Sequence, residues 1–169
     1  MFSRRLTVAL LVLGAAGMTN RVAAQSCTGN PCSVGNTVSA TVGTLLRLTL
    51  STTTTALPAP SEAEFDAGFQ DAAGPSATVK ANRSWTLKVS AAAANWTTDN
   101  LVVKPAGDLQ WATVAGGPYA GLAVAAADVA SSGATASFAQ AMFYRVLWSY
   151  ANDAPGNYSL VVTYTVTAP

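Results

Sequence analysis

The chain has 169 residues, of which 50% are hydrophobic and 10% charged, with a formal net charge of +1. It contains no histidine, which excludes Ser-His and Cys-His nucleophile pairs and His-ligated metals. No excess of Lys and Arg supports a basic patch, so nucleic acid is not an expected partner.

The first residues read as an export signal. Arg4 and Arg5 form a positive n-region, Leu6 to Met18 is an uncharged apolar run, and Val22-Ala23-Ala24 offers small or modest residues to a signal peptidase. Cleavage is expected after Ala24, giving a signal peptide over 1–24 and a mature chain of 145 residues from Gln25. The apolar run is short of the roughly 20 residues that cross a bilayer, and no second long run follows, so no transmembrane segment is expected in the mature chain. Ser3-Arg4-Arg5-Leu6 is similar to a twin-arginine signal with Thr7 in place of the usual bulky residue, and the export route stays open. Without Arg4, Arg5 and Arg21, six basic residues face eight acidic ones. The expected location is extracellular, at the cell surface or in the periplasm.

Cys27 and Cys32 are the only cysteines and flank Thr28-Gly29-Asn30-Pro31. In an oxidising compartment they are expected to pair, stiffening an N-terminal segment over 25–36. Residues 37–169 are expected to form one β-domain. Val38, Ala40 and Val42 alternate with Thr37, Ser39 and Thr41, and Leu46, Leu48 and Leu50 continue the period of two, which predicts a first strand from 37 onwards. Ser61-Glu62-Ala63-Glu64 is open between a short capped helix and an irregular edge. Glu62, Glu64 and Asp66 read as a solvated acidic loop rather than a calcium or catalytic site, because no Asp-x-Asp-x-Asp-Gly pattern surrounds them.

Ala77, Val79 and Ala81 predict a strand that forms a hairpin with the next one, in which Trp85, Leu87 and Val89 face inward and Thr86, Lys88 and Ser90 outward. Ala91 to Ala94 lacks the caps and period of a helix. Leu101 to Val103 and Leu109 to Thr113 predict short strands around the Pro105-Ala106-Gly107-Asp108 turn. Met142, Tyr144, Val146, Trp148 and Tyr150 share a face of a long strand. Beyond Asn152-Asp153-Ala154-Pro155-Gly156-Asn157, the face Tyr158, Leu160, Val162, Tyr164, Val166 predicts its hairpin partner. Strands at this spacing without a convincing helix predict an antiparallel Ig-like β-sandwich. Pro155-Gly156-Asn157-Tyr158 resembles the tyrosine corner of such sandwiches.

Ser84-Trp85-Thr86-Leu87 resembles the first signature of the WxL family of bacterial surface proteins. The family's second Trp-x-Leu is replaced at the matching place by Tyr164-Thr165-Val166, after Gly156-Asn157-Tyr158. That resemblance implies a sandwich at the cell surface, adhesive or structural, attached non-covalently to cell-wall glycan or to other surface proteins. The ending from Gly156 to Thr167 is also similar to spore-coat-U-type pilins, which implies self-association by donation of an alternating strand such as Val38-Ala40-Val42. A third reading is a carbohydrate-binding module presenting Trp96 and Trp111. No reading calls for a cofactor, a metal or catalysis.

Overall fold

The computed structural model describes residues 26–169, so the expected signal peptide and its cleavage site lie outside the described residues. The chain divides into two compact units, at Thr41 and Val42. The described part of the first, residues 26–41, contains no strand and carries the expected Cys27–Cys32 disulfide. The first strand of the second unit begins only at Leu46, so the alternation from Thr37 to Val42 does not produce a strand. Val38 is 85% and Val42 83% exposed. Alternation gives a segment two distinct faces, but a strand also needs a paired edge, and this segment pairs with none among the described residues.

The second unit holds β1 (Leu46–Leu50), helix α1 (Glu62–Ala67), β2 (Phe69–Ala81), β3 (Trp85–Ala91), β4 (Thr97–Thr98), β5 (Leu109–Ala112), β6 (Ala120–Gly121), β7 (Ala127–Ser132), β8 (Thr135–Leu147), β9 (Tyr158–Ser159) and β10 (Val162–Thr167). All pairing is antiparallel. One sheet has the order β1-β2-β8-β5-β6, a second β10-β3-β7, and β4-β9 forms a small ribbon. The two larger sheets pack as an all-β sandwich.

Both expected hairpins are absent, for one reason. β2 and β3 are joined by Asn82-Arg83-Ser84, yet β2 pairs with β1 and β8 while β3 pairs with β10 and β7. The connection crosses from one sheet to the other, so Ala77, Val79 and Ala81 face Trp85 and Leu87 across the core. The same holds for β8 and β10, which lie in different sheets. A shared inner face is compatible with sitting side by side or face to face, and here the core takes the second arrangement. Leu101 to Val103 forms no strand, and Leu101 is fully solvent-facing.

Other elements follow their local chemistry. Ser61 caps α1 in a capping box with Glu64, and Gly68 ends the helix in the left-handed region at φ 79°. β2 is irregular between Ala73 and Ser76, where a Cβ on Gly74 would meet the Tyr144 ring at 2.9 Å. The inner faces of β2, β3 and β8 supply Val79, Trp85, Leu87, Val89, Met142 and Val146, all buried. Trp85 packs on Phe138 with ring centroids 5.0 Å apart.

Leu87 is fully buried, whereas Lys88 on the opposite face forms an ion pair with exposed Asp128. Leu87→Ala is therefore expected to cost about 2–5 kcal/mol in urea unfolding, and Lys88→Ala no more than about 1 kcal/mol. Equal, small losses at both positions would contradict the assigned faces.

Candidate functional site

The two sheets meet at a seam where their edge strands β1 and β10 lie close together. β1 pairs only with β2, and β10 only with β3, so among the described residues each strand has one unpaired edge. Their inward residues are Leu46, Leu48 and Leu50 on β1, and Val162, Tyr164 and Val166 on β10. All six are only half-buried, in contrast to the inner faces of β2, β3 and β8. The sandwich is thus incompletely sealed along one side.

At the Leu50 end of β1 and the start of β10, the seam widens into a cleft of about 930 Å³. Its walls include Leu57, Trp96, Trp148, Leu160, Val162 and Tyr164, and the extended segment from Thr52 to Pro60 forms one side. Leu57 also packs against the main core. The floor carries a hydrogen bond between the two sheets, Tyr144 Oη to Tyr164 Oη at 2.5 Å. Burial raises the pKa of both phenols, and the shared hydrogen bond raises that of Tyr164 further, so the pair stays neutral. The indole N–H groups of Trp96 and Trp148 are buried without an acceptor among the described residues, as is that of Trp85 in the core.

The far wall of the cleft is a braced corner. Tyr158 donates to the Ala154 carbonyl at 2.5 Å, a bond back to the loop that precedes it. Asn100 donates to the carbonyls of Ala154 and Pro155 and to Tyr158 Oη. Beneath it, Lys104 is 1% exposed, with its Nζ 2.7 Å from both Asp153 Oδ1 and the Leu147 carbonyl and 4.6 Å from the centre of the Trp148 ring.

The residues singled out by sequence are dispersed. Trp85 and Leu87 are buried, and Tyr164 and Val166 lie beside them on the inner face, Val166 opposite Leu87 and Tyr164 opposite Val89. Trp111 sits opposite inward-facing Tyr144 and packs on the core, whereas Trp96 lines the cleft. Glu62, Glu64 and Asp66 lie on α1. Glu64 serves the cap and Asp66 accepts from the Tyr150 hydroxyl at 3.1 Å. No group of three metal-ligating side chains occurs among the described residues. Sequence reasoning missed Lys104 and Asp153, because a Lys before a Pro and an Asp in a Pro-Gly loop both read as exposed turn residues. The available signal was scarcity: the chain has only three lysines, at 80, 88 and 104.

The corner also carries a pH-sensitive contact. Asp99 accepts the Asn157 backbone N–H at 2.7 Å and its side-chain amide at 2.5 Å, which hold the carboxyl below its ordinary pKa of 3.8. A carboxyl depressed in the folded state contributes fully above its unfolded pKa, and the contribution fades as the pH falls through the folded value. Wild-type protein is expected to lose stability on acidification below about pH 4 more steeply than Asp99→Asn, as read by urea melts across that window. Parallel acid profiles would remove this contact from the pH response.

No protein-family model matches the chain, and no curated protein matches it either.

Proposed function

We propose that this chain is an exported structural subunit that assembles with further copies by strand addition, on an Ig-like sandwich one strand short. The observation that carries the reading is the unpaired edge of β10 beside an apolar cleft. A constant-type Ig sandwich sets strands ABED against CFG. Here β1-β2-β8-β5 corresponds to ABED, and β10 and β3 to F and C. The place that G takes beside F is filled by no strand of the described residues.

An extended segment entering there would gain backbone hydrogen bonds from β10 and cover the half-exposed face of Val162, Tyr164 and Leu50. Such strand addition takes affinity from the main chain and specificity from alternate side chains in pockets. The stretch from Thr37 to Val42 has the required form: it alternates, it pairs with nothing among the described residues, and its valines are exposed. The resemblance of Gly156 to Thr167 to spore-coat-U-type pilins points the same way. Attachment to wall polymer through the WxL-like residues is less well supported, since Trp85, Leu87, Tyr164 and Val166 all face the core. The role proposed is structural and involves no substrate turnover.

The exported chain is expected to run as multimers in size-exclusion chromatography and to form fibres in negative-stain microscopy. The double variant Val38→Asp/Val42→Asp is expected to give folded monomers that melt like a single wild-type subunit. A wild-type chain that stays monomeric at every concentration, or a double variant that assembles as well as wild type, would overturn the proposal.

A further inference from the structure

Gln70 and Lys104 are the only polar or charged residues fully buried among the described residues, and only Lys104 is charged. Its amine contacts two carboxylates, Asp153 Oδ1 at 2.7 Å and Asp108 Oδ2 at 3.3 Å. The two differ in setting. The Asp153 side chain is 6% exposed and that of Asp108 32%. The second oxygen of Asp153, Oδ2, accepts the backbone N–H of Ser149 at 2.8 Å. The indole face of Trp148 covers the amine.

These groups are a nucleophile, an electrophile, a proton carrier and an oxyanion donor held together, with the amine and the Asp153 carboxylate shielded from water and Asp108 partly exposed. We propose that Lys104 and Asp153 form an autocatalytic modification site that closes an intramolecular amide, with Asp108 as the catalytic proton carrier. The step begins with transfer of one proton from the Lys104 ammonium to Asp153 Oδ1, which it already contacts at 2.7 Å. The amine then lies against a carboxylic acid in a fixed orientation, the situation in which intramolecular reactions gain most. Nζ adds to Cγ of Asp153. The charge that develops on Oδ2 meets the Ser149 N–H already aimed at it. Asp108 takes a proton from the nitrogen and delivers it to Oδ1. The Cγ–Oδ1 bond breaks and the oxygen departs as water. The three ammonium hydrogens are accounted for: one stays on the amide nitrogen and two leave with the oxygen. Nothing is oxidised or reduced, and no co-reactant is needed.

Asp153 is favoured over Asp108 as the acyl partner because it is nearer, drier and equipped with the oxyanion donor. The amide would join positions 49 residues apart, fixing the loop that carries Lys104 to the turn that leads into the tyrosine corner. The site stands whether or not the subunit assembles, and its readout is a mass rather than an oligomer.

The test is the intact mass of the purified, denatured wild-type chain, followed by proteolytic mapping. The mass is expected to fall one water below that calculated for the chain from its determined N-terminus, in addition to the two hydrogens lost to the disulfide. Digestion is expected to release a branched peptide containing Lys104 and Asp153. Lys104→Arg, which keeps the charge but cannot be acylated in this way, should recover the water. Asp108→Asn should condense more slowly by roughly a hundredfold. A wild-type chain at full mass, or a water loss mapped to any other pair of residues, would sink the proposal. Condensation of Asp108→Asn at the wild-type rate would remove Asp108 from its role as proton carrier.

Discussion

A buried positive charge has to be neutralised where it sits, and that demand organises one end of this sandwich. Lys104 Nζ draws in the carbonyl at the end of β8, the carboxylate of Asp153 and the face of Trp148. Asp153 in turn holds the Ser149 N–H. The chain leaving β8 is thereby folded into the turn that delivers Tyr158 to its corner. Removing one partner of such a buried pair costs about 3–5 kcal/mol, because the other charge is left unpaired. Against a total stability of about 5–15 kcal/mol for a domain, that contact, while the pair is ionic, is a large share of what holds the corner and the cleft wall.

The opposite side of the cleft obeys a different economy. Among the described residues, β1 and β10 each pair along one edge and leave the other free, and their apolar faces remain half-covered. Burying apolar surface yields roughly 25 cal/mol per Å², so a seam left open forgoes stability that a closing strand would supply. Natural sheets usually block such edges with charges, prolines or bulges, because an open edge templates further pairing. β10 has none of these: Val162 to Thr167 contains no charge and no proline. A rigid wall facing an unprotected edge is an arrangement that suits capture of an extended segment.

How much of this was legible in the sequence depended on the range of the interaction involved. The faces of β3, β8 and β10 could be read directly, because alternation is local and Trp85, Leu87, Tyr144 and Val146 needed only their neighbours to be placed. The Cys27–Cys32 bond and the Tyr158 hydrogen bond were legible for the same reason, whereas the cap at Ser61 stayed one of two readings until the helix was seen. Strand partners were not. Three residues between Ala81 and Trp85 suit a hairpin as well as a crossing between sheets, and the choice rests on how Trp85 fills the space against Phe138 and Val79. The cleft was equally hidden, since it is assembled from residues 50–60, 96, 148 and 160–164. Lys104 was missed because the partner that explains its burial lies 49 residues away.

The segment from Thr37 to Gly43 gains its meaning from that same distinction between face and partner. Its alternation specifies two faces as clearly as that of β3, with Val38, Ala40 and Val42 on one side and hydroxyl groups on the other. Among the described residues it lacks an edge to pair with, and β10 has one edge without a strand. The side chains also match in scale: small and branched residues suit a strand that must slide into a seam already lined by bulky Leu50, Tyr164 and Trp96. A donor rich in aromatics would overfill that seam, at a cost of about 1–3 kcal/mol for each misfit, while a donor of alternating charges would bury them unpaired. In the assembly proposed above, the absence of charge from Thr37 to Gly43 would suit a docking strand, because every inward position would give up water.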